Sequence, residues 1–262
     1  MKLGINENIS NEKYHGDRTF YSSSALKLIL NDREAFHKKY ILNVTEPEPE
    51  SAALNFGTVA HLKVLEPELY EGSVIVFDGP VRRGKAFEEF KKNHDGKLII
   101  TLAEDTKLKL LSHEISKNEF SKLAMQNSLK EHTLGGIFNE VHLKVRCDAI
   151  NVESGAIYDL KTTGYASGID NFRDSLQSLD YDLSAYMYCL ISKQIYNKPF
   201  DFYFLVFSKS DHGYKVYKAS KDTLLQGKLK FESAIETLKH CLLTNDWTND
   251  ILVSDDNEIQ EV

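Results

Sequence analysis

From Val141 onward the side-chain pattern has a period of two, and that run constrains the fold more than any other stretch. Val141, Leu143, Val145, Cys147 and Ala149 fall on one face of an extended strand, and His142, Lys144, Arg146 and Asp148 on the other. Glu153, Ser154 and Gly155 supply a turn. Ile157, Asp159 and Lys161 then share one face of a second strand. The segment therefore predicts a hairpin with an aspartate near the end of each strand.

Aspartate is a poor strand former, and a buried unpaired carboxylate is costly. Two carboxylates on adjacent strands repel unless a cation lies between them, and Mg2+ or Mn2+ takes carboxylate oxygens at ~2.0–2.2 Å. Lys161 follows Asp159 by two residues and points the same way. An ammonium there can hold a water or hydroxide near a phosphate and stabilise developing negative charge. The combination is a phosphodiester-hydrolysis pattern of the D…(D/E)xK type. The bare triplet is weakly specific, because acid-x-Lys also occurs at Glu89/Lys91, Asp95/Lys97 and Asp105/Lys107. Those fall in a helix, at a turn and at a helix start, whereas Asp159/Lys161 ends a strand whose partner also presents an aspartate. The alternative is a solvated hairpin edge with Asp148 paired to Arg146 or Lys161.

Helical patterns precede and follow these strands. Residues 21–42 open with serines suited to an N-cap and continue with Leu26, Ile29, Leu30, Phe36 and Tyr40 on a helical stripe. Residues 43–53 read as an exposed acidic loop, and 55–70 as a helix that stops near Pro67. A strand is expected over 72–79, then a basic loop, short helix and Asp-Gly turn over 80–97, and an apolar strand over 98–102. Helices are expected over 104–131, 172–195 and 221–243, and strands over 200–208 and 214–219. This order predicts one α/β (α+β) domain over residues 1–250, with an acidic tail at 251–262 expected to be disordered.

The chain has 262 residues, enough for a real core, and its net charge is −7. An acidic total does not favour a nucleic-acid binder unless the basic residues gather on one surface. The three cysteines, Cys147, Cys189 and Cys241, are scattered and odd in number. They argue against a disulfide framework and a four-cysteine iron–sulfur cluster, and fit a reducing cytosol. No apolar run suits a membrane span and Met1 to Asn11 is polar, so no membrane association or signal peptide is expected.

Ordered segments beyond the hairpin carry a family resemblance. "NFGTVAHLKVLEP" (55–67) is similar to a G-T-x-x-H-x-x-x-L-E-P helix, and "VRRGKAFEEFKKNHDGKLIITLAED" (81–105) to an R-x-G-K-x-x-x-E-x-F segment followed by an I-L-T strand. "NEVHLKVRCDAI" (139–150) matches E-V-x-x-x-x-x-x-R-x-D, and "YDLKTT" (158–163) matches D-x-K-T-T. "YDLSAYMY" (181–188) resembles Y-x-x-Q-x-x-x-Y, and "LLTNDWTND" (242–250) a closing helix with its Trp. In this order, from about Tyr14 to Asn249, the chain resembles the RecE-type (exonuclease VIII-like) phage exonucleases of the PD-(D/E)xK superfamily and their RecB-like relatives.

The resemblance implies a restriction-endonuclease-like core, a central mixed β-sheet flanked by helices. It implies one or two Mg2+ or Mn2+ ions held by His61, Asp148, Asp159 and the backbone carbonyl of Leu160, with Lys161 as catalytic lysine and Glu140 as an upstream acid. Gly57 would permit close helix–sheet approach. Tyr181, Ser184, Tyr188 and Thr162 fall where the family meets DNA or braces the site, although Ser184 stands where the family has glutamine. The basic loop with Arg82, Arg83 and Lys85, extended by Lys91 and Lys92, is the expected DNA-contact surface, and Ser22, Ser23 or Ser24 could meet a terminal phosphate. The implied activity is 5′→3′ digestion of linear double-stranded DNA from its ends, leaving 3′ single strands for a RecT-like annealing protein. The implied assembly is a homo-oligomeric ring, and the implied setting the cytoplasm of a bacterial host carrying the phage or prophage. A non-catalytic DNA-binding module and a structure-specific or CRISPR-type endonuclease of the same superfamily are the alternatives.

Overall fold

The hairpin lies at the centre of a six-stranded sheet in a computed structural model that describes residues 1–44, 52–79 and 81–249. The elements run β1 (Gly4–Asn6), α1 (Asn11–Gly16), α2 (Ser23–Asn31), α3 (Arg33–Phe36), α4 (Ala52–Leu65), α5 (Pro67–Ser73), β2 (Val74–Phe77), α6 (Lys85–Asn93), β3 (Leu98–Thr101), α7 (Leu102–Lys117) and α8 (Glu119–Gln126). They continue with β4 (Leu129–Phe138), β5 (Val141–Asn151), β6 (Ala156–Thr163), α9 (Ile169–Ser178), α10 (Tyr181–Tyr196), β7 (Asp201–Ser208), β8 (Tyr214–Lys218) and α11 (Lys221–Thr244). Strand order in the large sheet is β1-β4-β5-β6-β7-β8, antiparallel throughout except for the parallel pair β6 and β7. A parallel pair needs a long crossover, which α9 and α10 supply. The strands β2 and β3 form a separate parallel pair. The expected mixed sheet flanked by helices is the observed architecture.

Two apolar clusters sandwich the sheet. One packs Leu26 and Ile29 of α2, Met187 and Ile191 of α10 and Phe231 and Leu238 of α11 on Leu143, Val145, Cys147 and Phe204. The other packs Phe56, Val59 and Ala60 of α4 and Leu108 and Leu111 of α7 on Ala149, Tyr158, Leu160 and Phe207. The predicted strand face thus holds from Val141 to Cys147 and then changes side, because Ala149 joins the second cluster. The change falls at Asp148, where both neighbouring ladders are interrupted.

Several boundaries differ from expectation. The helix expected over 104–131 ends at Lys117, restarts after Asn118 caps α8, and gives way to β4, which periodicity missed. Gly135 and Gly136 lower the strand propensity of β4, yet packing requires them. A Cβ on Gly135 would lie 2.3 Å from the Lys2 carbonyl oxygen, and one on Gly136 would crowd Ile191 and Gln194 of α10. The helix over 21–42 breaks at Asp32, which caps α3, and runs on as a π-helical turn, His37–Ile41. Pro67 ends α4 and opens α5 at its first turn, where a missing N–H is harmless. The short elements β1 and α1 were not foreseen. The expected loop over 43–53 falls mostly outside the described residues, and the expected tail over 251–262 entirely so. Among the described residues no helix is long and apolar enough to cross a membrane.

Candidate active site

Register explains where the aspartates go. The β5–β6 ladder stops at Ala149 opposite Tyr158, and one more step would set Asp148 opposite Asp159. Instead the Asp148 carboxylate enters the gap and accepts the Leu160 N–H at 2.7 Å. From the second core layer, α4 brings His61 to the same point. His61 Nδ1 lies 2.8 Å from the Gly57 carbonyl oxygen one turn back, and Nε2 lies 3.0 Å from Asp148 Oδ2. A Cβ on Gly57 would make only an ordinary 3.7 Å contact with Thr162 Oγ1. The helix–sheet approach therefore does not demand glycine there.

Asp159 is buried and paired to Lys161, with Oδ2 2.5 Å from Nζ. Among the described residues that oxygen has no partner other than the Lys161 ammonium. The Lys161 ammonium also lies 5.1 Å from the centre of the Tyr181 ring, which opens α10. Tyr188, two turns along α10, lines a cleft of about 1680 Å³ that also exposes His61, Asp148 and Ser22 to Ser24. Ser22 caps α2 by accepting the Ala25 N–H. Ser184 lies on α10 between the two tyrosines, and Thr162 follows Lys161 on β6.

Electrostatics follow from this burial. Burial pushes the His61 imidazole down, but the Asp148 carboxylate outweighs it and holds the group up at about 9. Burial pushes Asp148 up, and His61, Lys161 and the Leu160 N–H together bring it below the usual carboxylate range. Asp159 stays above that range, because burial and the Asp148 charge exceed what Lys161 offsets. Burial disfavours the Lys161 ammonium, yet Asp159 and Asp148 push it above its ordinary value. The His61–Asp148 pair needs a charged imidazole. Its stabilisation is complete below the ordinary histidine value of roughly 6.5 and is lost as pH rises through about 9. Metal-free protein is expected to lose thermal stability over that window, and His61→Phe to show no such loss. Calorimetry across the same pH range checks this.

Glu140 and the basic loop lie away from this cluster. Glu140, the expected upstream acid, sits in the two-residue β4–β5 turn with Asn139, both in the left-handed region that such turns require. Its side chain is 89% exposed and pairs with Lys239. At about 3.3 Å per residue, it lies more than 20 Å along β5 from Asp148. The acid that reaches the site is Glu131. It occupies the interrupted position of β4 opposite Asp148, has φ +46°, and lines the cleft. Burial, then Asp148, pushes its carboxyl up to about 7. A helix expected over 104–131 had concealed it. Arg82, Arg83 and Lys85 of the basic loop lie outside the cleft lined by His61 and Asp148. Arg82 is tied to Glu104, itself part of the capping box of α7, while Arg83 and Lys85 are exposed.

The donor set suits a hard divalent cation. Asp159 offers a buried oxygen, and imidazole and carboxylate groups stand beside it. Among the described residues no three histidine, cysteine or acidic side chains already converge at ligand distance. His61 is paired with Asp148 and Asp159 with Lys161, so a cation bound there would have to replace those pairs.

The whole chain superposes on 96% of a protein from Eubacterium rectale described as a "putative exonuclease", with TM-score 0.66 and 16% identity. That likeness shows the fold. A phage-related exonuclease from Haemophilus somnus 129PT aligns over 72% of this chain and 95% of its own, at 11% identity and a TM-score of 0.33 that carries no argument. No curated protein matches the chain significantly. Residues 22–250 match the PDDEXK-like domain of unknown function DUF3799, a span that holds both aspartates, Lys161, His61 and Glu131, and the chain belongs to that family.

Proposed function

We propose that this chain is a metal-dependent nuclease that degrades linear double-stranded DNA from its ends. The observation that carries the reading is Asp159. Its carboxylate is buried, stands next to Asp148 across an interrupted ladder, and among the described residues has the Lys161 ammonium as the partner of its buried oxygen. Two buried carboxylates served by one ammonium and one imidazole are costly, and a divalent cation together with a phosphodiester substrate accounts for them. The family and the fold shared with the Eubacterium rectale protein agree with a nuclease.

Mg2+ or Mn2+ bound by His61, Asp148, Asp159 and the Leu160 carbonyl would polarise the scissile phosphate. Lys161 is placed to donate to the attacking water or to a non-bridging oxygen, and a cation on Asp159 would free its ammonium for that role. Tyr181 keeps the ammonium in place through its ring face. Glu131, held near neutrality, can accept a proton at working pH. The 5′→3′ direction, the 3′ single strand handed to a RecT-like annealing protein and a ring of subunits extend this reading on the motif resemblance.

The test is incubation of purified protein with linear duplex, labelled at one strand end at a time, and with covalently closed circular duplex. Each is run with Mg2+, Mn2+ or EDTA. Metal-dependent loss of the 5′ label from linear DNA, with the circle intact, is expected. Cutting of the circle would turn the reading to an endonuclease, and binding without metal-dependent release to a non-catalytic module.

A further inference from the structure

Three lysines surround the turn that leads into α10, and one of them has no acid at ion-pair distance among the described residues. Lys230 holds both nearby acids of that turn, Asp180 at 2.7 Å and Asp182 at 3.1 Å. Lys161 holds Asp159. Lys27, on α2, donates to the Leu179 carbonyl oxygen at 2.8 Å and lies 5.2 Å from the centre of the Tyr181 ring, the same ring that Lys161 meets at 5.1 Å. No carboxylate among the described residues is within ion-pair distance of Lys27. Two of its three N–H donors have no protein partner there.

Desolvating an ammonium without a counter-charge is unfavourable. Burial, with the Lys161 charge added, lowers the Lys27 ammonium to about 8, and the more distant acids only partly compensate. Lys27 nevertheless stays charged at neutral pH. It stands one turn beyond Ser23 and next to Leu28, both of which line the cleft, and it shares the Tyr181 ring with Lys161.

We infer that Lys27 is a further substrate-binding residue of this site, whose missing counter-charge is a phosphate of the nucleic-acid backbone next to the one held at Lys161. The inference rests on the nuclease reading. In it, Tyr181 spaces two cations along one strand, Lys161 at the scissile phosphate and Lys27 at its neighbour. Lys27 was not among the residues the motifs single out, because a lysine inside a helix carries no signal until its neighbours are known.

The experiment compares wild type, Lys27→Met and Lys27→Arg at pH 7. Fluorescence anisotropy reads their affinity for a short labelled duplex in EDTA over a series of salt concentrations. Cleavage with Mg2+ is followed in parallel. Lys27→Met keeps the apolar stem and should bind about tenfold more weakly, as for loss of one charged hydrogen bond. Its slope of log affinity against log salt should fall by about 0.9, one phosphate contact fewer. Lys27→Arg should restore both. Unchanged affinity in Lys27→Met overturns the inference, and so does weaker binding with an unchanged slope, which a purely structural role would give. If wild type cuts DNA while Lys27→Met binds normally, the inference falls alone. If wild type neither binds nor cuts, it falls together with the nuclease reading.

Discussion

Asp159→Ala and Lys161→Ala each abolish metal-dependent cleavage of linear duplex, with losses of at least about 10²–10³-fold, the scale of removing one electrostatic group from a reacting centre. The two should differ in stability, and that difference tests the site independently of activity. Asp159 has a carboxyl held above the usual range by burial and by Asp148. A carboxyl raised in the folded state favours folding only when protonated, so at neutral pH it costs stability. Asp159→Ala is therefore expected to unfold at or above the wild-type temperature. Lys161→Ala removes the cation paired with that carboxylate among the described residues and leaves it buried beside Asp148. It is expected to unfold at a lower temperature and to recover as pH falls and Asp159 takes up its proton. Glu140→Ala, in the exposed turn, should cut like wild type, whereas Glu131→Ala should lose most activity. Single-turnover cleavage and thermal melts of the four variants supply the measurements. Full activity in either Asp159→Ala or Lys161→Ala would remove the proposed site.

Gly227→Ala is expected to be the most damaging single methyl in the chain. Gly227 lies on α11 against the start of α10, and a Cβ there would be 2.0 Å from the Asp182 carbonyl oxygen and 2.4 Å from its carbonyl carbon. These are backbone atoms, so no side chain can rotate away. The helices must separate, which costs about 3 kcal/mol and, at roughly 2–4 °C per kcal/mol for a chain of this size, lowers the melting temperature by roughly 6–12 °C. Separation also carries Tyr181, one residue before Asp182, away from Lys161. Activity should fall in the protein that remains folded. A melting temperature within about a degree of wild type would show that α10 and α11 are less tightly coupled than this contact requires.

These two expectations lie at opposite ends of what could be read in advance. Asp148, Asp159 and Lys161 stand out from the amino-acid order because a strand pattern is one-dimensional. An acid inside an alternating apolar run is an anomaly wherever the strand is placed. His61 entered through its motif, and α4 sets it on Asp148. Glu131 and Lys27 carried no comparable sign. Glu131 shares with Gly135 and Gly136 a strand whose composition argues against a strand, and those glycines are there because the Lys2 carbonyl and α10 come close. Lys27 looks like any polar residue on an amphipathic helix. Glu140 had the spacing of a functional acid and was carried away by a two-residue turn.

The order of residues alone determined the hairpin, its misplaced acids and the alternation of helices with strands, because periodicity and propensity act between near neighbours. Tertiary structure decided which acid stands opposite Asp148, that Lys27 meets a carbonyl and a ring rather than an acid among the described residues, and that Glu140 is carried away from the site. Each of those depends on strand register and helix packing between segments up to about a hundred and fifty residues apart, such as Lys27 and Leu179, and no local pattern encodes that separation.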